Sequence, residues 1–296
     1  MRNNGDEEAI KETTNTVLNN PDITKRGALS ICNVTKIYDP EGVHVVALEG
    51  CSLDIRAGEF VAVVGPSGCG KTTLLNIIAG FDSLTHGEIR LDDELLAAPG
   101  VKPKPGPDRV VVFQHGALFP WKTVLDNVIY GPVIQKKMSR EEAIETARDK
   151  LSRLGLKEIE NVYPGQLSSG MQRRVEIVRA LINNPLVLLL DEPFRGMDSV
   201  TKSASHEALL ELYDIFHKTI YFITHDLEEA IFLSDTVVVM TTRPGKIRMT
   251  IKVDLPRPRD YRMLSTPRFL ELKEMAKDAV HEEALKAFQR GERELA

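Results

Sequence analysis

The sequence predicts an α/β fold with a mostly parallel sheet. Four apolar runs, "FVAVVG", "VVVF", "LVLLLDEP" and "TIYFITHD", lack the alternation of a half-exposed strand, and several lead into helix-like stretches. Strands covered on both faces read this way, because neither side of the pleat meets water. Size agrees: 296 residues, 42% hydrophobic and 27% charged, suffice for one large domain or two smaller ones.

Residues 1–26 are polar, rich in Asn, Glu and Thr, and weakly periodic, which reads as a mobile leader without the apolar core of a signal peptide. From about Leu29, "ALSICNVTKIY", "HVVALEGCSLDI" and "EFVAVVG" are β-type segments between Gly, Pro and Asp turn signals, fit for a mixed margin of the sheet. Between Gln114 and Pro185 the pattern is mostly helical, and in "SREEAIETARDKLSRLG" a serine cap, an acidic first turn and a terminal glycine bound one helix. A helical subdomain, about residues 115–185, is therefore expected between two core strands. The main folded unit is expected over 27–255, followed by a helical extension over 256–296. In that extension Thr266 suits an N-cap and Pro267 the first helical position.

The net charge of -5 argues against a nucleic-acid partner, since such proteins concentrate positive charge. Cys32, Cys51 and Cys69 have neither zinc-site spacing nor the density of a disulfide scaffold, and a reducing compartment is the simple reading. Runs such as "LVLLL" are too short to cross a bilayer, so work at a membrane needs another chain for the crossing.

The chemistry is concentrated in "GPSGCGKTT", which places Gly65, Gly70, Lys71 and Thr72 at the defining positions of a P-loop, between a buried-strand pattern and a helix-like run. Glycines let successive backbone N–H groups converge on phosphate oxygens, and the helix adds its positive N-terminal end. Lys71 can reach the terminal phosphates of a nucleoside triphosphate, and the Thr72 hydroxyl can ligate Mg²⁺. Cys69 reads as a small residue within the loop. In "LVLLLDEP" a buried strand delivers Asp191 and Glu192 at its C-terminal edge, where Asp191 can bind Mg²⁺ and Glu192 can orient or deprotonate the attacking water. His225 ends "YFITH" and Gln114 ends "VVFQ", both at strand ends that face the same region. "LSSGM", from Leu167, puts a serine-glycine turn at the head of a helix-like run, a second anion-binding feature.

Tyr38, "GPSGCGKTT", Gln114, "LSSGM", "LVLLLDEP", Asp198 and His225 follow one another in the order found in the ATPase subunits of ATP-binding cassette (ABC) transporters, and from about Ala28 to Asp254 the chain resembles that family. Through "FPWKTVLDNVIYGP", "TTRPGKI" and "VDLPRPRDY" it is similar to the nitrate, sulfonate and taurine importer group. The resemblance implies a P-loop NTPase (RecA-like) core with mostly parallel sheet, an antiparallel β subdomain and an inserted α-helical subdomain. It implies that Tyr38 stacks on the adenine of ATP and that Gly65, Pro66, Ser67, Gly68, Cys69, Gly70, Lys71, Thr72 and Thr73 surround the phosphates. Thr72, Gln114 and Asp191 would then bind Mg²⁺, with Glu192 the general base and His225 and Lys71 at the γ-phosphate.

The resemblance also implies a head-to-tail pair with a second ATPase subunit. Ser168, Ser169, Gly170, Gln172 and Asp198 would act in trans on ATP held by the partner, which explains a second anion-binding feature in one chain. The other implied partners are transmembrane permease subunits, met around Phe119, Pro120 and Trp121, and indirectly an extracytoplasmic solute-binding protein. The implied location is peripheral, on the cytoplasmic face of the cell membrane. Two positions depart from the family pattern: Ser169 stands where a glycine is usual, and "RGMD" stands where "SALD" is common. A soluble cassette ATPase of DNA repair or translation would share the phosphate-handling residues, but typically carries two cassettes or a long coiled-coil insertion. A P-loop kinase would have no use for "LSSGM".

Overall fold

The structure, a computed structural model, describes residues 26–39 and 42–289, with side chains to residue 286; most of the polar leader and residues 290–296 lie outside the described residues. Its centre is a six-stranded sheet of β3 (Phe60–Val64), β6 (Arg109–Val112), β7 (Val187–Asp191), β8 (Thr219–Ile223), β9 (Thr236–Met240) and β10 (Ile247–Lys252), in the order β10-β9-β3-β8-β7-β6. Five strands run parallel and β10 closes the edge antiparallel to β9. The missing alternation has a direct cause. Phe60, Ala62 and Val64 of β3 join one hydrophobic core, whereas Val61 and Val63 join the other on the opposite face. Each apolar face removes surface from water, at about 25 cal/mol per Å².

The β-type segments near the N-terminus do not widen this sheet. β1 (Leu29–Tyr38) and β2 (Val45–Ile55) pair antiparallel and, with the hairpin β4 (His86–Leu91) and β5 (Glu94–Ala97), form a separate sheet ordered β2-β1-β4-β5. Only β3, the third of those segments, belongs to the parallel sheet. A second sheet arises because β1 finds partners on both edges, and its Leu29, Ile31 and Val34 are buried in the same core as Val61 and Val63. The β4–β5 turn has Asp92 at φ 52°, and its carboxylate Oδ1 accepts the amides of Gly27 and Ala28 at 2.8 and 2.9 Å, which fastens the start of β1.

Helix α1 (Lys71–Ala79) follows β3 and buries Leu74, Leu75, Ile77 and Ile78. Between β6 and β7 come α2 (Val124–Ile134), α3 (Arg140–Arg153) and α4 (Ser169–Leu181), which pack on one another. Ser139 caps α3 reciprocally: its Oγ accepts the Glu142 amide, and Glu142 accepts the Ser139 amide. Asn127 is fully buried in α2 and bonds Phe119 through both N–H and C=O, fixing the loop before the helix. Helices α5 (Ser199–Phe216), α6 (Leu227–Leu233) and α7 (Pro267–Gln289) complete the fold, with α7 packed on α6 and β9. Thr266 Oγ1 accepts the Phe269 amide at the head of α7. No helix among the described residues is long and apolar enough to cross a membrane.

Asp235 ties three of these layers together. Its carboxylate accepts the Phe60 amide at 3.0 Å, the Tyr213 hydroxyl at 2.7 Å and Arg257 Nη2 at 2.8 Å. Burial pushes its pKa up, but the Tyr213 hydrogen bond, the Arg257 charge and the Phe60 amide outweigh burial and hold it below the usual carboxylate range. A depressed folded-state pKa stabilises the fold above the unfolded value, near 4, and that stabilisation disappears as pH falls through the folded pKa. Asp235→Asn is expected to lower unfolding free energy by about 2–4 kcal/mol at neutral pH and to flatten its dependence on pH below about 4. Denaturant titrations of both proteins at several pH values check this.

Candidate functional site

Strand register brings the candidate residues to one edge. Val63 of β3 lies opposite Ile223 of β8, and Ile223 lies opposite Asp191 of β7, so the three chains leave the sheet at the same height. The P-loop emerges from the first, Glu192 follows the third, and Thr224 and His225 follow the second. This is the C-terminal edge at which α/β sheets hold ligands.

The P-loop between β3 and α1 has the conformation that its glycines permit. Gly68 and Gly70 adopt φ 74° and 93°, and a Cβ on Gly70 would meet Leu48 Cδ2 at 2.6 Å and Ala47 O at 2.9 Å. Lys71 is buried, and its Nζ donates to the carbonyls of Gly65 at 2.8 Å and Pro66 at 3.0 Å. Cys69 is also buried beneath the loop, where desolvation pushes its thiol pKa up, so it packs rather than reacts. Ser67 and Thr72 are exposed on the loop surface and Thr73 is half-buried.

The Thr72 hydroxyl donates to Asp191 Oδ2 at 3.2 Å, joining the first turn of α1 to the end of β7. Burial pushes the Asp191 pKa up, while the Thr72 hydrogen bond pulls it down. The next residue, Glu192, has φ 44° and its amide donates to Ile223 O at 2.9 Å. Left-handed backbone at a residue with a side chain costs about 1–3 kcal/mol. It turns the Glu192 carboxylate away from Asp191 towards Gln114 Nε2 at 3.4 Å, His225 Nδ1 at 3.4 Å and Arg195 Nη1 at 3.1 Å. One carboxylate therefore faces the P-loop helix and its neighbour faces the strand-end glutamine and histidine. The arrangement can hold a hard cation on one side and orient a water on the other.

Tyr38 of β1 is partly exposed. Its hydroxyl donates to Asp82 Oδ2 at 2.6 Å, and burial together with that bond raises the phenol to about 12. Lys36 Nζ sits 4.6 Å from the ring centroid and also bonds Asp82. The ring is thus fixed by its polar end.

The serine-glycine turn heads α4. Ser168 is its N-cap and accepts the Met171 amide at 3.3 Å; Ser168 and Ser169 are both exposed. Ser169 occupies the first helical position and is not among the positive-φ residues, so a side chain is accommodated there without backbone strain. Gly170 differs. A Cβ there would fall 2.2 Å from Thr201 Cγ2 of α5, so any larger residue would have to displace the Thr201 side chain. Asp198 caps α5, accepting the Thr201 amide at 2.9 Å. Among the described residues, no hydrogen bond links Ser168, Ser169 or Gly170 to residues 65–73. Gln172 commits its amide nitrogen to Pro164 O and Leu167 O, at 2.9 and 3.2 Å, within its own chain.

The sequence alone assigns nothing to Arg195 or Glu176 and marks Arg173 only as one of a pair of arginines suited to an anion, whereas the structure buries Arg173 in contacts within the chain. Arg195 belongs to "RGMD", where its departure from "SALD" was the available signal. Arg173 and Glu176, buried in α4, pair at 2.6 Å. Arg173 donates to the carbonyls of Phe113 at 2.5 Å and Gln114 at 2.8 Å, and Glu176 accepts the Ala117 amide at 2.5 Å. Arg179, one turn on, donates to Ala117 O at 2.6 Å. The helix that begins with the serine-glycine turn thus grips the loop that carries Gln114.

The opposed effects on Asp191 give a test of this geometry. Removing the donor in Thr72→Val leaves burial unopposed by that bond, so the Asp191 carboxyl is expected to titrate at higher pH than in the parent protein. Side-chain carboxyl ¹³C shifts measured across pH read it, and an unmoved titration contradicts the contact.

Comparison with known proteins follows the same outline. A family model described as ABC transporter matches residues 48–195. The bicarbonate transport ATP-binding protein CmpD of Synechocystis sp. is 41% identical over 258 residues, which is 86% of this chain and 89% of that protein. The nitrate import ATP-binding protein NrtD of Synechocystis sp. is 40% identical over 249 residues, 82% of this chain and 91% of that one. Among solved structures, a dimeric ATP-binding cassette in a post-hydrolysis state, bound to ADP and Pi, is 34% identical with a TM-score of 0.66, covering 77% of this chain and 100% of that one. With a P-loop, a carboxylate pair and a serine-glycine turn held on the matching fold, the chain belongs to the ABC transporter family, as an ATPase whose hydrolysis of ATP is coupled to transport.

Proposed function

We propose that this chain energises import of a small inorganic anion, working as one of two cassettes that close head to tail on ATP beneath separate permease subunits. The observation that carries this reading is the split between the P-loop and the serine-glycine turn. Both are anion-binding features at helix N-termini, yet the turn is exposed and makes no hydrogen bond to its own P-loop among the described residues. A second copy facing the first would use it. The dimeric cassette that this fold resembles supports the pairing, and the names of the bicarbonate and nitrate relatives support an anion as cargo.

In this reading the P-loop amides and Lys71 hold the phosphates of ATP, and Tyr38 offers its ring face to adenine. The Lys71 ammonium, 2.8 Å from Gly65 O, exchanges that carbonyl for phosphate oxygens of higher charge. Thr72 and Asp191, in contact at 3.2 Å, would hold Mg²⁺ together with the Gln114 side-chain oxygen; in nucleotide sites the ion takes one or two carboxylates and completes its shell from phosphates and water. Bound there, the ion would neutralise charge on the phosphates. Glu192 accepts a proton from the attacking water, and His225 donates to the γ-phosphate. Gln114, 3.4 Å from Glu192, helps orient that water.

The stroke reaches the permease through the segment after Gln114. Trp121 is 72% exposed and stacks on Phe119 at 5.6 Å. A cleft of about 430 Å³ between the sheet edge and α2 and α4 is lined by Phe81, Phe113, Tyr130 and Arg179, of which Tyr130 and Arg179 touch the Phe119 ring. An exposed aromatic next to an apolar cleft is the kind of surface that a partner covers.

Two outcomes test this reading. In vesicles holding the chain with its permease, ATP is expected to drive uptake of labelled nitrate or bicarbonate; ATP turnover with uptake of neither anion overturns the cargo assignment. Because position 169 carries no backbone strain, Ser169→Gly is expected to preserve or raise ATPase activity of the assembled transporter, and a clear loss of activity refutes this account of the turn.

A further inference from the structure

The segment that follows β10, "VDLPRPRDYR", is held against α6 by unusually many bonds for a connection. Arg259 is buried, and its Nη1 donates to the carbonyls of Ile231, Phe232 and Ser234 at 3.2, 3.0 and 2.7 Å. Arg257 Nη2 donates to Leu233 O at 3.1 Å. These are carbonyls at the C-terminal end of a helix, which have no partner within it and carry its negative end, so two guanidinium groups satisfy them. The other end of the same short helix begins at Asp226, beside His225.

A second line of contacts runs from this segment to the other side of His225. The Tyr261 ring lies 4.6 Å from that of Phe232, and its hydroxyl is 2.8 Å from His206 Nδ1 on α5. His206 Nε2 is 3.1 Å from Glu229 Oε1. The Thr224 hydroxyl donates to the other Glu229 oxygen, and the Asp226 amide donates to Thr224 Oγ1 at 3.0 Å. Lys202 bridges Glu229 at 2.8 Å and Asp226 at 2.7 Å. Burial pushes the Glu229 pKa up, but His206, Lys202 and Thr224 together hold it below the usual range, so it is an acceptor. In the neutral ring His206 Nε2 therefore carries the proton, and Nδ1 accepts the phenolic proton of Tyr261. Thr224 and Asp226 are fixed from behind, while His225 between them is 61% exposed.

We propose that Tyr261, acting through His206 and Glu229, is a positioning residue for His225. The segment after β10 thereby sets the backbone from which that histidine meets the γ-phosphate, and the C-terminal part of the chain belongs to the hydrolytic machinery without touching ATP. The inference rests on the reading of His225 as the γ-phosphate contact. Without the phenolic proton His206 Nδ1 loses the donor that helps to fix the orientation of its ring. Glu229 then loses a fixed donor, and the Thr224–Asp226 corner gains freedom. Affinity for ATP, set by the P-loop and Tyr38, is unaffected.

The experiment uses the full-length chain in the assembled transporter. Tyr261→Phe is expected to lower kcat about fivefold, the rate equivalent of one buried hydrogen bond, with KM for ATP unchanged and the melting temperature lowered by no more than a few degrees, so that the protein stays folded at the assay temperature. In a His225→Ala background the same substitution is expected to have no further effect on the residual rate. The His225 ring resonances in the nucleotide-bound chain are expected to move in Tyr261→Phe. A normal kcat in Tyr261→Phe, an equal loss in both backgrounds, a loss explained by a lowered melting temperature, or unmoved His225 resonances each overturn the proposal. An impaired His225→Ala with a normal Tyr261→Phe sinks this inference alone, whereas an unimpaired His225→Ala sinks the reading of His225 itself.

Discussion

The register that sets Val63, Ile223 and Asp191 side by side is the constraint on which the rest of the molecule depends. Parallel strands buried on both faces cannot slip without exchanging one core for the other, so three strand ends are locked at one height. The loops that follow are short. Their reactive groups can therefore meet over distances of a few ångströms, as the Thr72 hydroxyl meets Asp191 at 3.2 Å. A slip of one residue in β7 would exchange the directions of Asp191 and Glu192, and the separation of a carboxylate facing Thr72 from one facing Gln114 and His225 would be lost.

The second layer of organisation is mechanical. Arg173, Glu176 and Arg179 recur at helical spacing on one face of α4 and grip the backbone from Phe113 to Ala117. A buried ion pair contributes little net stability when compared with apolar packing, but breaking one partner leaves a costly unpaired charge. Such a pair is suited to keeping two segments in fixed relation. The turn at Ser168, the loop at Gln114 and the aromatic residues near Trp121 consequently share one rigid support, which also includes the Arg179 guanidinium 4.4 Å from the Phe119 ring.

What the sequence made legible was local in chain order. "GPSGCGKTT" carries its own flanks, "LVLLLDEP" joins strand and carboxylates in one run, and the serine cap of α3 is complete within four residues. The antiparallel sheet was implied by family resemblance, yet its β4–β5 hairpin escaped residue-level reading because each strand is short and its burial weakly patterned. The parts that stayed hidden depend on meetings across long separations: Arg173 with Phe113, His206 with Tyr261, Gly170 with Thr201. Propensity and spacing contain no information about which distant backbone carbonyl an arginine will find. Whether a side chain fits at Ser169, where glycine is usual, depends on backbone conformation, and its place in the first turn of α4, outside the positive-φ region, answers that.

The left-handed backbone of Glu192 has a corollary. Glycine adopts that conformation without strain but would remove the carboxylate that meets Gln114, His225 and Arg195, so relief of the strain and retention of those contacts exclude each other. In the proposed function, the strain at this position is the standing cost of keeping a general base there.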